Sequence, residues 1–176
     1  MNFRAGEVKG LDKVGGLPTH LPESFPVSKF TGKKLGFLMQ IYCDGERLDI
    51  ENTLCLHIYQ STEIDDGDDP SLVILKLRKD SRVNTGLGVK YPDIEEQEIE
   101  WTIDEEPDIL PVSLEMEASN LKMLGSKLKG ATPAEYFGVK SKFFLGWIAE
   151  YPVGFNFTGL VVLLKDLKGN ISYEIL

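Results

Sequence analysis

The apolar residues of this chain come in short runs between turn-forming residues, and this spacing constrains the fold more than any other feature. Residues 35–42, 53–60 and 72–77 are each rich in aromatic, leucine or β-branched side chains, which is typical of β-strands. No run approaches the roughly 20 apolar residues that a membrane-spanning helix needs. The pattern therefore predicts a β fold made of short strands, with the third segment paired back on the second.

The last eighteen residues predict a β-hairpin. Residues 159–165 form a continuous apolar run, and residues 171–176 alternate apolar with polar side chains. Between them, Lys168-Gly169-Asn170 is a sequence that favours a tight reversal of the chain. We expect the final strand to be tied into a sheet.

Two further segments predict one strand and one helix. In residues 98–103, Ile99, Trp101 and Ile103 alternate with polar side chains, so we expect a strand that buries its tryptophan face. Residues 113–124 carry leucines at helical spacing, begin with a serine, which favours the N-cap position, and end before a glycine. The first 33 residues are rich in glycine and proline, and we expect them to run as a loop.

Two parts of the chain, residues 11–80 and 125–176, repeat the same order of features. Each has a glycine and proline turn, then an apolar strand, then a second strand that closes a hairpin; Trp147 stands where the first copy has Gln40. A chain of 176 residues favours a single domain. We therefore predict an α+β, mainly β fold, in which duplicated antiparallel sheet units share one core with one or two short helices, joined by residues 91–124.

The negative charge of the chain is concentrated in one stretch. Residues 91–121 contain eleven of the 28 acidic residues and no Lys or Arg, so the rest of the chain is close to neutral. Such acids either form a solvated face or attract a basic protein partner. Neither role favours nucleic acid binding, because duplex affinity comes mainly from Lys and Arg that neutralise phosphates. The candidate partner-binding residues are Glu95, Glu96, Glu98, Glu100, Asp104, Glu105 and Glu106.

The residues that usually carry catalysis or bind metals are scarce. The chain has two histidines and two cysteines, and it lacks the common sequence motifs of metalloproteases, serine hydrolases, and nucleotide- or dinucleotide-binding proteins. We therefore expect no metal and no cofactor, and we assign no catalytic residue. Few cysteines and the lack of a signal-like start favour a cytoplasmic protein without a membrane segment.

A second kind of site is conceivable at the glycine pair near the start of the chain. Gln40 ends an apolar strand, and its amide either satisfies backbone groups near this turn or lines a small ligand pocket. His57 is either buried in the core or part of the same pocket. The candidate pocket residues are Gly15, Gly16, Pro18, Gln40 and His57.

Residues 13–18 (KVGGLP), 21–22 (LP) and 37–41 (FLMQI) resemble the YwqG-like family of bacterial proteins, and residues 127–133 and 144–148 match the same pattern in outline. The Gly-Gly-x-Pro turn is also similar, more distantly, to that of the programmed-cell-death-two family. The first resemblance implies a duplicated fold without an established reaction, sometimes associated with toxin–immunity or interaction loci. The second implies a chaperone of a ribosomal protein.

Together these features predict a non-catalytic protein-interaction module, immunity-like, whose acidic face docks a basic protein. One alternative is a small-molecule-binding protein or enzyme with a pocket at the glycine pair. Another is a chaperone of a basic ribosomal-type protein, which would use the same acidic face. The sequence leaves the oligomeric state open.

Overall fold

In a computed structural model of the protein, residues 2–5, 12–62, 71–104, 122–124, 142–149 and 160–175 are described. Over these residues the chain is mainly β, with two antiparallel sheets, which confirms the mainly β part of the predicted α+β class; no helix occurs among them. The strands are β1 Asn2–Ala5, β2 Lys13–Val14, β3 Gly36–Tyr42, β4 Thr53–Gln60, β5 Leu72–Arg78, β6 Gln97–Glu98, β7 Trp101–Asp104, β8 Lys122–Leu124, β9 Lys142–Ala149, β10 Leu160–Asp166 and β11 Ile171–Ile175.

The chain divides into two compact units, and each contains one sheet. One unit comprises Gly10–Tyr42 and Asn52–Ile99 and holds a five-stranded sheet in the order β5-β4-β3-β2-β6. The other comprises Met1–Lys9, Cys43–Glu51 and Glu100–Leu176 and holds a six-stranded sheet in the order β11-β10-β9-β8-β1-β7.

The five-stranded sheet is organised around the antiparallel run β3–β4–β5, here called the first meander. Aromatic and leucine side chains make its inner strands apolar, and Phe37 and Tyr59 are fully buried with Leu35 beside them. The pairing of β3 with β4 shifts between Phe37 and Met39, which leaves Leu38 as a bulge. A bulge of this kind increases the local twist and bends the strand.

The six-stranded sheet contains a second run of three antiparallel strands, β9–β10–β11, here called the second meander. Its strands β10 and β11 form a hairpin, with Lys165 opposite Ile171. The carboxylate of Asp166 accepts hydrogen bonds from the backbone N–H groups of Lys168 and Asn170, both at 2.8 Å, and so closes the turn. The pairing of β10 with β9 is interrupted where Leu163 faces Gly146 and Leu164 faces Phe144, which makes Leu145 a bulge.

The longer apolar runs formed the strands that were predicted from them. The three early segments are β3, β4 and β5, and the C-terminal hairpin is β10 and β11. Their apolar and β-branched residues favour a half-buried strand by themselves. These strands can therefore be predicted from the local sequence alone.

Three predictions are corrected by the structure. The strand expected over residues 98–103 is two short strands, because the chain leaves the five-stranded sheet after β6 and joins the six-stranded sheet at β7. The loop expected over the first 33 residues contains β1 and β2, which were too short and too polar to recognise. The helix expected over residues 113–124 does not extend to its end, since Lys122–Leu124 is strand β8; the rest of it lies outside the described residues.

Candidate functional site

The Gly15-Gly16 turn directly follows β2 and is covered by the acidic segment. Both glycines have φ of +69°, a left-handed conformation that favours glycine. The N–H of Gly15 donates to the carbonyl oxygen of Leu38 at 2.8 Å. A Cβ atom at Gly15 would clash with the backbone carbonyl of Glu95, and one at Gly16 would clash with the carboxylate of Glu96. The glycine pair therefore serves close packing against residues 95 and 96.

Gln40 attaches the loop after this turn to the sheet. It lies on β3, opposite Lys13 on β2 and His57 on β4, and its side chain is fully buried. Its Oε1 accepts a hydrogen bond from the N–H of Thr19 at 3.0 Å, and its Nε2 donates to the Thr19 hydroxyl at 2.8 Å. A buried amide must find such partners. The amide of Gln40 thus satisfies the loop backbone, as the structural interpretation of the sequence expected.

His57 is a buried neutral histidine. Its side chain has no exposed surface, and its ring packs edge-on against Phe37 with centroids 5.3 Å apart. Its Nδ1 lies 3.2 Å from the Tyr59 hydroxyl. Burial lowers the pKa of His57 to about 3, with smaller electrostatic contributions from His20 and Lys13. The ring is therefore uncharged at neutral pH.

Asp12 and Tyr42 extend this buried polar layer on the same sheet. The Asp12 carboxylate is fully buried and accepts a hydrogen bond from the N–H of Tyr42 at 2.5 Å. Burial, with smaller contributions from Cys55 and Asp12, raises the pKa of Tyr42 to about 12. The ring of His20 meets that of Tyr42 edge-on at 5.9 Å. Sequence reasoning missed Thr19, Asp12 and Tyr42, because only the pairing of β2, β3 and β4 brings them to Gln40.

The five candidate pocket residues are brought together, and all five are buried. Gly15 and Gly16 lie beneath residues 95 and 96, and the amide of Gln40 is occupied by Thr19. The arrangement is a buried polar layer in which His57 contributes an uncharged ring; among the described residues, His57 Nε2 and His20 Nδ1 have no hydrogen-bond partner. Its evident role is to hold the loop, the glycine turn and the acidic segment on one sheet.

The seven candidate partner-binding residues fall into three groups. Glu95, Glu96 and Glu98 are exposed at the β6 end of the five-stranded sheet. Glu100 is half-buried and belongs to the other compact unit, where Asp104 ends β7 opposite Asn2. Glu105 and Glu106 lie outside the described residues.

The three exposed glutamates form what we call the acidic edge: Glu95, Glu96 and Glu98. β6 is the last strand of its sheet, and its Glu98 lies opposite Lys13 on β2. The Nζ of Lys13 is 3.1 Å from a carboxylate oxygen of Glu96, whose side chain is still 56% exposed. Lys13 thus faces Glu96 and Glu98, with Glu95 exposed next to them, so these four residues carry a net negative charge.

The opposite end of the same sheet is basic. Strand β5 is the other outer strand, and the exposed residues along it and just after it are mostly cationic. A groove of about 420 Å³ lies beside it, lined by Leu21, Pro22, Glu23, Arg78, Asp80, Ser81 and Arg82. The five-stranded sheet therefore carries opposite charges at its two edges.

Three further observations bear on function. In the part of the chain that the structure describes, no three His, Cys, Asp or Glu side chains are grouped to hold a metal ion. Over the same residues no helix has the length and apolar character to cross a membrane. Comparison with family models, with curated proteins and with solved structures finds no match for this chain.

Proposed function

We propose that the protein is a non-catalytic interaction module whose acidic edge docks a basic protein partner. The observation that carries the proposal is the placement of Glu95, Glu96 and Glu98 at an outer strand, exposed and ordered by the glycine turn beneath them. A focused negative potential raises the rate at which a basic partner associates.

The backbone of β6 adds a second means of recognition. β6 pairs with β2 on one side, and within the described strands nothing pairs with its other side. An outer strand of this kind can accept an extended segment of a partner by main-chain hydrogen bonds. Alternating basic side chains on that segment would then face the glutamates.

The alternative of a ligand pocket at the glycine pair has weaker support. Gly15 and Gly16 are buried under the acidic segment, Pro18 is also buried, and the polar atoms of Gln40 are paired with Thr19. A ligand would have to displace residues 95 and 96 first. The same contacts explain why the glutamates are held in place.

We further propose a cytoplasmic, immunity-like role, in which the basic partner is a toxin. The resemblance to the YwqG-like family and the scarcity of cysteines, two in 176 residues, support this assignment. A chaperone of a basic ribosomal-type protein would use the same acidic edge, and the identity of the captured protein separates the two roles.

We also propose that the two meanders arose by internal duplication. The support is that the bulge falls at equivalent residues: Leu38 follows Phe37 in β3, and Leu145 follows Phe144 in β9. A short strand also precedes each meander as its neighbour in the sheet, β2 beside β3 and β8 beside β9. In the register of these pairs, Lys13 faces Gln40 and Lys122 faces Trp147. By this register Lys122 is the equivalent of Lys13. The sequence pattern instead matches Lys13 with the start of residues 127–133, five positions later in the chain.

The docking proposal is tested with a bait that lacks the acidic edge. The triple variant Glu95→Gln, Glu96→Gln and Glu98→Gln is compared with a matched control, Glu46→Gln, Asp49→Asn and Glu174→Gln, which changes the net charge equally at other exposed positions. Proteins from native extracts that bind the wild type and the control, but not the triple variant, are then purified and measured individually.

For a purified partner, we expect a high isoelectric point and an association rate that falls at least tenfold between 50 and 500 mM NaCl. The triple variant should lower the association rate by about tenfold at low salt, while the control should lower it little. An unchanged association rate in the triple variant would overturn the proposal.

A further inference from the structure

The outer strand β5 is flanked by a groove and by a row of exposed cationic side chains, which the proposed docking at β6 does not use. Lys76, Arg78, Lys79 and Arg82 are exposed along this strand and the turn after it, with Asp80 as the one acid among residues 76–82. The groove beside them measures about 420 Å³, within the range of roughly 300–1,000 Å³ typical of ligand sites.

The groove continues along the strand. A second cavity of about 190 Å³ shares Pro22, Glu23, Arg78 and Ser81 with the first, and it is also lined by β5 residues from Leu75 onward. One wall is therefore the outer strand itself, and the other is the loop at residues 22–24. Such a shape suits an extended chain that runs parallel to the strand.

The walls are held by backbone contacts. The N–H of Leu21 donates to the carbonyl oxygen of Arg82 at 2.7 Å, and His20 pairs with Val83 as an antiparallel bridge. The side chain of Asn84 donates to the carbonyl oxygens of Pro18 and Leu87, both at 2.8 Å. The groove is thus organised before any ligand arrives, which reduces the entropic cost of binding.

The charged groups in the groove define the chemistry of its ligand. Arg78 binds Asp80 at two points, at 3.1 and 3.2 Å, but both side chains are about 70% exposed, so a ligand carboxylate can compete with Asp80 for this guanidinium. Arginine forks bind carboxylates in bidentate geometry. Glu23 and Asp80 line the same groove and would repel a continuous polyanion. Spaced carboxylates on a peptide fit this pattern better than a chain of phosphates.

We propose that this groove binds an acidic peptide segment in an extended conformation, which adds as a strand to β5 while its carboxylates pair with Arg78 and Arg82. The outer backbone of β5 would supply main-chain hydrogen bonds. This inference is independent of the proposed docking at the acidic edge, because it concerns the opposite edge of the sheet and a partner of opposite charge.

The test uses a labelled peptide of alternating valine and glutamate, eight residues long, with a valine–glutamine peptide as the control ligand. Binding to the full chain is followed by fluorescence anisotropy. We expect the acidic peptide to bind at least tenfold more tightly than the control peptide, and to lose most of this preference at 500 mM NaCl.

Two protein variants locate the site. Arg78→Gln with Arg82→Gln should weaken binding of the acidic peptide about tenfold, while Lys29→Gln with Lys168→Gln, which removes the same charge elsewhere, should leave it nearly unchanged. Hydrogen exchange of the wild type should slow in Leu72–Arg78 when the peptide is present.

Several results would overturn the proposal: no binding of the acidic peptide at 1 mM, equal binding by the arginine variant, or no added protection in β5. Tighter binding of a single-stranded oligothymidylate than of the peptide would also overturn it, since the groove would then recognise phosphates. Loss of binding at the acidic edge would not affect these outcomes.

Discussion

The two meanders share an architecture and differ in polarity where their strands pair. In both, three antiparallel strands follow one another, and the first strand has a bulge at a leucine, Leu38 or Leu145. In the first meander, Gln40 faces His57; at the equivalent register positions of the second, Trp147 faces Val162. The sheet geometry therefore does not depend on the polar pair.

This difference distinguishes the residues that form the sheet from the residues that attach other segments to it. Apolar alternation and the bulge are common to both meanders, so they account for the strand arrangement. The polar layer of Gln40 and His57 exists in one meander, where Gln40 holds the loop at Thr19. We conclude that the polar layer positions the loop that follows the glycine turn.

The largest expected effect is the acid sensitivity that His57 gives to the first meander. Its pKa is about 3 in the folded protein, below the ordinary value near 6.5, so the unfolded state binds more protons between these values. The contribution of neutral His57 to the free energy of unfolding is fully present above pH 6.5 and is lost as the pH falls towards 3. We expect a loss of about 4 kcal/mol at pH 3 relative to pH 7.

The substitution His57→Val, which copies Val162 of the second meander, tests this point. The free energy of unfolding of both proteins is measured by urea denaturation from pH 7 to pH 3. The wild type should lose more stability than the variant across this range. Parallel curves for the two proteins would show that His57 is not the source of the acid sensitivity.

A somewhat smaller effect is expected at the glycine turn. Gly15→Ala combines left-handed strain with a clash against the Glu95 backbone, and should lower the free energy of unfolding by about 3 kcal/mol or more. Gly32→Ala is the matched control, because Gly32 has a φ of +71° with open space around it. Equal losses in thermal denaturation for both variants would contradict the close packing of residues 15 and 95.

The hydrogen bonds between Gln40 and Thr19 should contribute about 2 kcal/mol to the free energy of unfolding. Gln40→Leu leaves the N–H and hydroxyl of Thr19 without their partner, and such groups cost about 1–3 kcal/mol when they stay buried. A double-mutant cycle with Thr19→Val measures the coupling between the two residues. A coupling energy near zero would mean that Gln40 does not act through Thr19.

The smallest effect is expected at the turn of the second meander. Gly169 has a φ of +77° and nothing within 4 Å of an added Cβ, so Gly169→Ala carries conformational strain alone. We expect a loss of about 1 kcal/mol in the free energy of unfolding. A loss as large as that of Gly15→Ala would show that the turn is packed more closely than its geometry indicates.

The sequence predicted a strand correctly where its own residues favour one. It did not predict a strand that forms only by pairing with residues far away in the chain. β4 was predicted at its observed bounds because eight consecutive residues favour a strand. β2 and β6 have two residues each; β6 is a strand because it pairs with β2, and β2 because it pairs with β3 and β6. Of the candidate site, the acids at positions 95, 96 and 98 were identified from charge alone. Their contact with Lys13 and Gly16 required the structure.

The amino-acid sequence by itself determined the β class, the main strands of both meanders and the acidity of residues 91–121. These properties depend on local composition and on a side-chain period of two, which neighbouring residues express without a partner. Tertiary structure alone decided that the acidic run is divided between two sheets, that three of its glutamates lie at one edge and that a groove beside exposed cationic residues lies at the other. These features come from pairing between residues far apart in the chain, and the free energy of such pairing depends on burial and register that no single segment contains.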